Sequence, residues 1–139
     1  MRWKRRWSRA MDKLLQLMGL ALRARGLVAG EEVVNDAVSG HKVRLLLVAE
    51  DAADGTVRKI HNLAGDRLPV MTVPAGKDTL GAALGKSSCA VVAVLDAGFA
   101  AQIGLQLAER EPAYQEMAEE LRRKQEKRQR RKKEKPRRK

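Results

Sequence analysis

Apolar residues near the start of the chain recur every three or four positions, and this spacing predicts one amphipathic helix. The stripe consists of Trp3, Trp7, Met11, Leu14, Leu15, Met18 and Leu22. Most of it is expected to pack against a folded body. For the two tryptophans a second interpretation stays open, in which an arginine- and tryptophan-rich arm stacks on nucleic-acid bases.

Three later apolar segments have the length and composition of buried strands, at residues 43–51, 68–73 and 89–96. The first is predicted to be a central strand, because its consecutive apolar residues leave no polar face. Helices are predicted at residues 31–39, 54–64, 78–84 and 98–107, another begins at Pro112, and residues 26–30 are expected to form a glycine-bounded apolar turn. The alternation predicts an α/β fold, a three-layer α/β/α sandwich with about four or five strands.

The positive charge of the chain lies at its two ends. The net charge is +12, with 13 basic residues against two glutamates in residues 122–139 and five basic residues without an acid in residues 1–9. Residues 10–121 are mildly acidic, with 11 basic and 15 acidic side chains. Basic arms are typical of polyanion binding, and RNA or DNA fits better than a membrane because the C-terminal arm lacks an apolar face.

These shifts in composition predict three regions. Residues 1–13 form a basic arm that leads into the first helix, residues 14–108 form the α/β/α domain, and residues 109–139 form a strongly basic extension that ranges from helical to disordered. A single cysteine, no apolar run of membrane-spanning length and no secretory signal predict a cytoplasmic protein without a membrane partner.

No pattern in the chain predicts catalysis, a metal site or a cofactor. His41 and His61 have no metal-ligand spacing, and Cys89 is expected to be a core thiol. The glycine-bounded turn lacks the ending of a phosphate-binding loop, and Glu50 with Asp51 is typical of turns and helix caps.

Glu31 and Glu32 are the strongest functional candidates. One interpretation is that they only complement the dipole at the start of a helix. The other is that a carboxylate accepts hydrogen bonds from the edge of a guanine that is displaced from normal pairing in RNA. Gly30 supports the second interpretation, because a residue without Cβ lets the backbone approach RNA closely.

Several segments in a fixed order resemble the ribosomal protein L7Ae family, particularly its small bacterial members. They are LQLMGLA at residues 15–21, GEE at residues 30–32, Gly40, LLLVAED at residues 45–51 and LGAALGKSSCAVVAVLDAGFA at residues 80–100. The resemblance covers about residues 14–101 and implies an α/β/α sandwich that binds RNA, in many members at kink-turns.

By position, the resemblance gives Glu32 the guanine-contacting role, Glu31 the adjacent role usually held by Asn, and Asn35 a place where a phosphate-contacting Lys is common. Residues 85–90 match a second loop that covers a flipped-out base. The predicted RNA-binding residues are Arg25, Gly30, Glu31, Glu32, Asn35, Lys42, Lys86, Ser87, Ser88, Cys89 and Ala90.

The sequence therefore predicts a non-enzymatic protein that binds structured RNA or the ribosome, with both basic ends holding phosphate. Two alternatives stay open. The first is a protein-interaction adaptor that keeps the fold without selective RNA recognition. The second is a free-standing substrate domain of an RNA-modifying enzyme whose activity comes from a partner.

Overall fold

The structure is a computed structural model that describes the backbone of residues 2–134 and the side chains of residues 9–133. The interpretation of Trp3 and Trp7 therefore lies outside the described side chains. The elements in chain order are α1 (Arg2–Arg23), β1 (Leu27–Ala29), α2 (Glu31–Ser39), β2 (Leu45–Ala49), α3 (Asp54–Ala64), β3 (Val70–Val73), α4 (Lys77–Ala83), β4 (Val91–Val94), α5 (Ala97–Arg110), a 3-10 turn (Pro112–Tyr114) and α6 (Gln115–Glu134).

The four strands form one mixed sheet in the order β1-β4-β2-β3. β4 is antiparallel to both β1 and β2, whereas β2 and β3 are parallel, so only β4 runs in the reverse direction. The sheet therefore has two distinct ends. At the Gly30 end, β1, β2 and β3 finish and α2, α3 and α4 begin. At the Arg44 end, those three strands start and β4 finishes.

The sheet separates two hydrophobic layers, as the alternation along β2 shows. Leu45 and Leu47 face a layer with buried residues from α1, α4, α5 and α6, while Leu46 and Val48 face the layer built on α2 and α3. All five residues of β2 are buried because helices cover both faces. The predicted α/β/α sandwich is confirmed.

The predicted apolar turn at residues 26–30 is wrong, because Leu27–Ala29 is strand β1 and pairs with β4 from Leu27↔Val94 to Ala29↔Val92. Three residues are too few to show strand alternation, so the pairing with β4 decides the conformation. The preceding Gly26 is required by close packing, since a Cβ there would lie 2.9 Å from Cβ of Asp96.

Helix α6 packs along α5 and runs from the Gly30 end toward the Arg44 end. Thr72 N–H donates a hydrogen bond to Tyr114 Oη (2.9 Å) just before the helix begins. Leu121 is buried and packs so closely that a Cβ on Gly104 would lie 2.9 Å from its Cδ1. One turn later, Nε2 of Gln125 lies 3.3 Å from the Cβ position of Gly98, near the start of α5.

Beyond Gln125 the helix extends past the folded body, since residues 126–133 are all exposed. Arg122 forms an ion pair with Glu126 (2.8 Å) and Arg123 with Glu120 (2.6 Å), both one turn apart. Among residues 2–134, no helix is long and apolar enough to cross a membrane.

Leu121 anchors this helix, so we expect Leu121→Ala to lower the free energy of unfolding by about 2–4 kcal/mol through lost burial and a residual cavity. Leu20→Ala is the matched control, because Leu20 is a helical leucine that is 50% exposed. Denaturant unfolding of both variants measures the difference. Equal losses in the two variants would contradict the packing described for α6.

Candidate nucleic-acid interface

Gly30 connects β1 to α2 in a conformation that favours glycine. Its φ is 108°, and a Cβ there would meet no atom within 4 Å, so backbone conformation and not crowding makes glycine the favoured residue. Its N–H donates to the carbonyl of Val91 (3.0 Å), and its carbonyl accepts from the N–H of Val34 (2.9 Å). The loop is thus fixed from both sides while open space lies where a side chain would be.

The two carboxylates that follow are both exposed but have different surroundings. Glu31 Oε1 accepts a hydrogen bond from the Thr56 hydroxyl of α3 (3.2 Å). Within the part of the chain that the structure describes, no residue pairs with the Glu32 carboxylate. Glu31 therefore links the starts of α2 and α3, and Glu32 is available to accept hydrogen bonds from a ligand.

The loop at residues 85–90 lies at the same end of the sheet and rests on α4. Lys86 N–H donates to the carbonyl of Gly81 (2.8 Å), and Cys89 N–H donates to the carbonyl of Lys77 (3.0 Å). A Cβ on Gly81 would lie 2.8 Å from Cα of Ser88, so the loop needs glycine beneath it. Lys86, Ser87 and Ser88 are exposed.

Cys89 of this loop faces the interior of the domain. It is only 3% exposed, and its thiol donates to the carbonyl of Val91 (3.4 Å). Burial raises the pKa of the Cys89 thiol, an effect partly offset by hydrogen bonding from the backbone of Val91 and Gly30 and by the charge of Lys86. Ala90 is half-buried, and its carbonyl accepts from the N–H of Ala49 (2.9 Å). The two residues support the loop from within.

The structure does not place all predicted site residues on one face. Arg25 lies two residues before β1 and Lys42 three residues before β2, so both lie at the Arg44 end. Strand β1 and its flanking residues lie between Arg25 and Gly30. At the usual rise of an extended strand, the distance between these two residues is roughly 15 Å. The remaining predicted residues, with Asn35 exposed on the second turn of α2, lie at or near the Gly30 end.

The basic arms also lie at opposite ends of the sheet. Arg9 and Lys13 of α1 lie beside Glu109 and Arg110 at the end of α5, toward the Gly30 end. The basic half of α6 instead passes the Arg44 end. The sequence predicted that both arms hold phosphate, and the fold puts them at opposite ends because α1 and α6 run in the same direction.

Asp51 caps a helix, as predicted, and the helix is α4 rather than the adjacent α3. Its Oδ1 accepts from Lys77 N–H (2.8 Å), and its carboxylate lies against Gly76. Thr56 and Gly81 support the site and were missed by sequence reasoning. Thr56 is 25 residues from the glutamate it contacts, and no local pattern reveals such a pair.

The geometry defines a class of domain, an α/β/α sandwich whose sheet contains one reversed strand. At one end of the sheet, the Gly30 turn and the 85–90 loop lie side by side. Residues 12–103 match the family described as "Ribosomal protein L7Ae/L30e/S12e/Gadd45 family", and the chain belongs to this family. The predicted resemblance is confirmed.

Individual relatives agree with this assignment. The chain is 38% identical over 85 residues to "RNA-binding protein YlxQ" of Bacillus subtilis (strain 168), covering 60% of this chain and 84% of that protein. It is 37% identical over 49 residues to "RNA-binding protein YlxQ" of Enterococcus faecium, covering 35% of this chain and 48% of that protein. A solved structure of a protein with unknown function from Bacillus halodurans C is similar with a TM-score of 0.63 and 38% identity, over 68% of this chain and 96% of that one.

The contact between Gly81 and the 85–90 loop gives a direct test of how the loop is held. We expect Gly81→Ala to lower the free energy of unfolding by about 1–3 kcal/mol, because the new Cβ overlaps backbone that must move. Displacement of the loop should also speed the reaction of Cys89 with a thiol reagent.

Gly55→Ala is the matched control, since Gly55 lies in helix α3 and a Cβ there would meet no atom within 4 Å. This control should be neutral or more stable by about 0.5–1 kcal/mol. Unfolding curves and thiol-labelling rates of the two variants show whether the 85–90 loop depends on the contact with Gly81. A Gly81→Ala protein as stable and as slowly labelled as the Gly55→Ala protein would show that the loop does not depend on this contact.

Proposed function

We propose that this protein is a non-enzymatic RNA-binding protein of the bacterial cytoplasm that receives structured RNA, of the kink-turn class, at the Gly30 end. Membership of the family and similarity to the RNA-binding proteins YlxQ of Bacillus subtilis and Enterococcus faecium support RNA binding. Ribosomal RNA is one source of such structures, and association with the ribosome forms part of the proposal.

The single observation that carries this proposal is the juxtaposition of the Gly30 turn with the 85–90 loop. The backbone hydrogen bond from Gly30 N–H to the carbonyl of Val91 holds the two loops side by side. Their outward surfaces remain exposed, with Glu32 on one loop and Lys86, Ser87 and Ser88 on the other. Two adjacent exposed loops on a rigid sheet provide a preformed binding surface for a folded ligand.

The chemistry of each loop fits a distorted segment of RNA. The Glu32 carboxylate can accept two hydrogen bonds from the N–H groups of a guanine edge, which is accessible when the base leaves Watson–Crick pairing. The hydroxyls of Ser87 and Ser88 and the ammonium of Lys86 can contact sugar and phosphate oxygens. Arg9 and Lys13 of α1 lie toward this same end, so they are placed to contact neighbouring phosphates.

The adaptor alternative is favoured by the local charge. Near the starts of α2, α3 and α4, carboxylates outnumber the cations, which are Lys77 and Lys86. The carboxylates are Glu31, Glu32, Glu50, Asp51, Asp54 and Asp78. An acidic surface repels phosphate and fits a basic protein partner. Recovery of the same protein partners from nuclease-treated and untreated lysate, together with failure to bind RNA in vitro, would favour the adaptor.

Glu32 separates specific from nonspecific RNA binding. We expect Glu32→Ala to weaken binding to a kink-turn RNA about tenfold or more, because a bidentate contact to a base edge contributes about 1–3 kcal/mol. Binding to a duplex without the kink-turn should be unchanged or slightly stronger, because one negative charge is removed.

Asp36→Ala is the matched control, since Asp36 is an exposed acid on the same helix, near its other end. Both variants raise the net charge by one, so only loss of the guanine contact distinguishes them. Fluorescence anisotropy with kink-turn and plain duplex RNA measures the four affinities. If Glu32→Ala and Asp36→Ala bind the kink-turn equally well, Glu32 does not read a base.

A further inference from the structure

The Arg44 end contains a small cleft whose charged lining is entirely cationic. Its volume is about 70 Å³, and Arg44, Arg67 and Lys124 line it together with Val43, Leu68, Ala97, Ala100 and Leu121. No carboxylate belongs to the lining. The three cations come from segments distant in sequence, so the fold and not a local run of charge creates the cluster.

Hydrogen-bonded or helical backbone positions each of these cations. Arg44 N–H donates to the carbonyl of Val94 (2.8 Å), the residue paired with Leu45 at the end of the β2–β4 ladder. Arg67 lies in the turn after α3, where its N–H donates to the carbonyl of Ala64 (3.3 Å). Lys124 lies on α6 almost one turn beyond the buried Leu121.

In the described part of the chain, none of these three side chains forms an ion pair with a carboxylate. Arg67 and Lys124 also line an adjoining groove that contains Asp66, Glu116 and Glu120, and the charge of Lys124 acts on Glu120. No carboxylate lines the cleft itself, so its three cations repel one another there, and a bound anion lowers that repulsion. Two guanidinium groups and an ammonium match the oxygens of a phosphate diester, since arginine binds such oxygens in a bidentate manner.

The cleft is also the start of a longer basic surface. Helix α6 leaves the body at this end with exposed cations on every side, namely Lys127, Arg128, Arg130, Arg131, Lys132 and Lys133. Arg25 and Lys42, which belong to the loops before β1 and β2, lie at the same end of the sheet. The surface therefore extends well beyond a single phosphate.

We propose that the Arg44–Arg67–Lys124 cleft and the basic half of α6 form a second RNA-binding surface, which holds the phosphate backbone of an RNA helix. The inference rests on the proposed function for the identity of the polyanion. It goes beyond that function because the surface lies across the sheet from the Gly30 end. One protein molecule then contacts a distorted RNA segment at one end and a regular helical segment at the other.

The lack of apolar side chains in the sequence after Leu121 favours RNA over a lipid surface as the partner. After Leu121 the sequence has no apolar residue other than Pro136. Stable membrane binding needs apolar area to insert beside the basic residues, whereas binding to a phosphate backbone is driven by counterion release alone.

The test uses the full chain and a plain RNA duplex of about two helical turns, with affinity measured by fluorescence anisotropy over a range of salt concentrations. Arg67→Gln/Lys124→Gln removes two cations of the cleft. The matched control Arg58→Gln/Lys59→Gln removes an exposed arginine and lysine from α3. The cleft variant should bind the duplex about tenfold or more weakly and should lower the slope of log affinity against log salt by about 1.5–2.

Equal weakening of the two double variants would mean that only total charge matters, and no weakening of the cleft variant would mean that the cleft does not contact RNA. Either result overturns the inference. Phosphatidylserine vesicles provide a further arm. Vesicle binding that depends on Arg67 and Lys124, with duplex binding unaffected, would assign the cleft to lipid and also overturn it.

The same experiment distinguishes failure of the inference from failure of the proposed function. Suppose that Glu32→Ala loses kink-turn binding, while the cleft variant keeps both kink-turn and duplex binding. That result would reject the second surface and leave the proposed function intact. If the unmodified protein binds neither kink-turn nor duplex RNA at low salt, both proposals fail together.

Discussion

The backbone hydrogen bond from Gly30 to Val91 is the contact on which the rest of the site depends. It exists because β4 runs opposite to both of its neighbours, so the loop that enters β4 meets the loop that leaves β1. The bond fixes the left-handed Gly30, directs Glu31 and Glu32 outward at the start of α2, and places Cys89 beneath the turn. Packing, loop position and exposure of the candidate ligands all follow from this pairing.

The direction of the strands also determines where charge is placed. Helices α2, α3 and α4 begin at one end, and the acids in their first turns complement the helix dipoles there. Cations collect at the other end, where α6 emerges. Under the proposed function, one surface would read shape and base edges and the other would hold phosphate, so selectivity and affinity could vary separately.

The sequence predicted the sandwich and the helices at residues 31–39 and 54–64 with their observed bounds, because strong periodicity and buried strands are local signals. It did not predict strand β1, whose three residues become a strand only by pairing with β4. The sequence also grouped Arg25 and Lys42 with Gly30, although β1 separates Arg25 from Gly30 and α2 separates Lys42 from Gly30. The support from Thr56 and the cleft around Lys124 depend on contacts between distant segments, which no spacing rule reveals.

The most direct test of the central claim is to follow backbone amide NMR signals while a kink-turn RNA is added to the full chain. Because the two loops form one surface, we expect the largest changes at residues 30–32 and 85–90 together. A second group of changes should appear near Arg44, Arg67 and Lys124 when the RNA carries a long helical arm. Changes confined to the basic half of α6, with the amides of Gly30 and Lys86 unaffected at saturation, would contradict it.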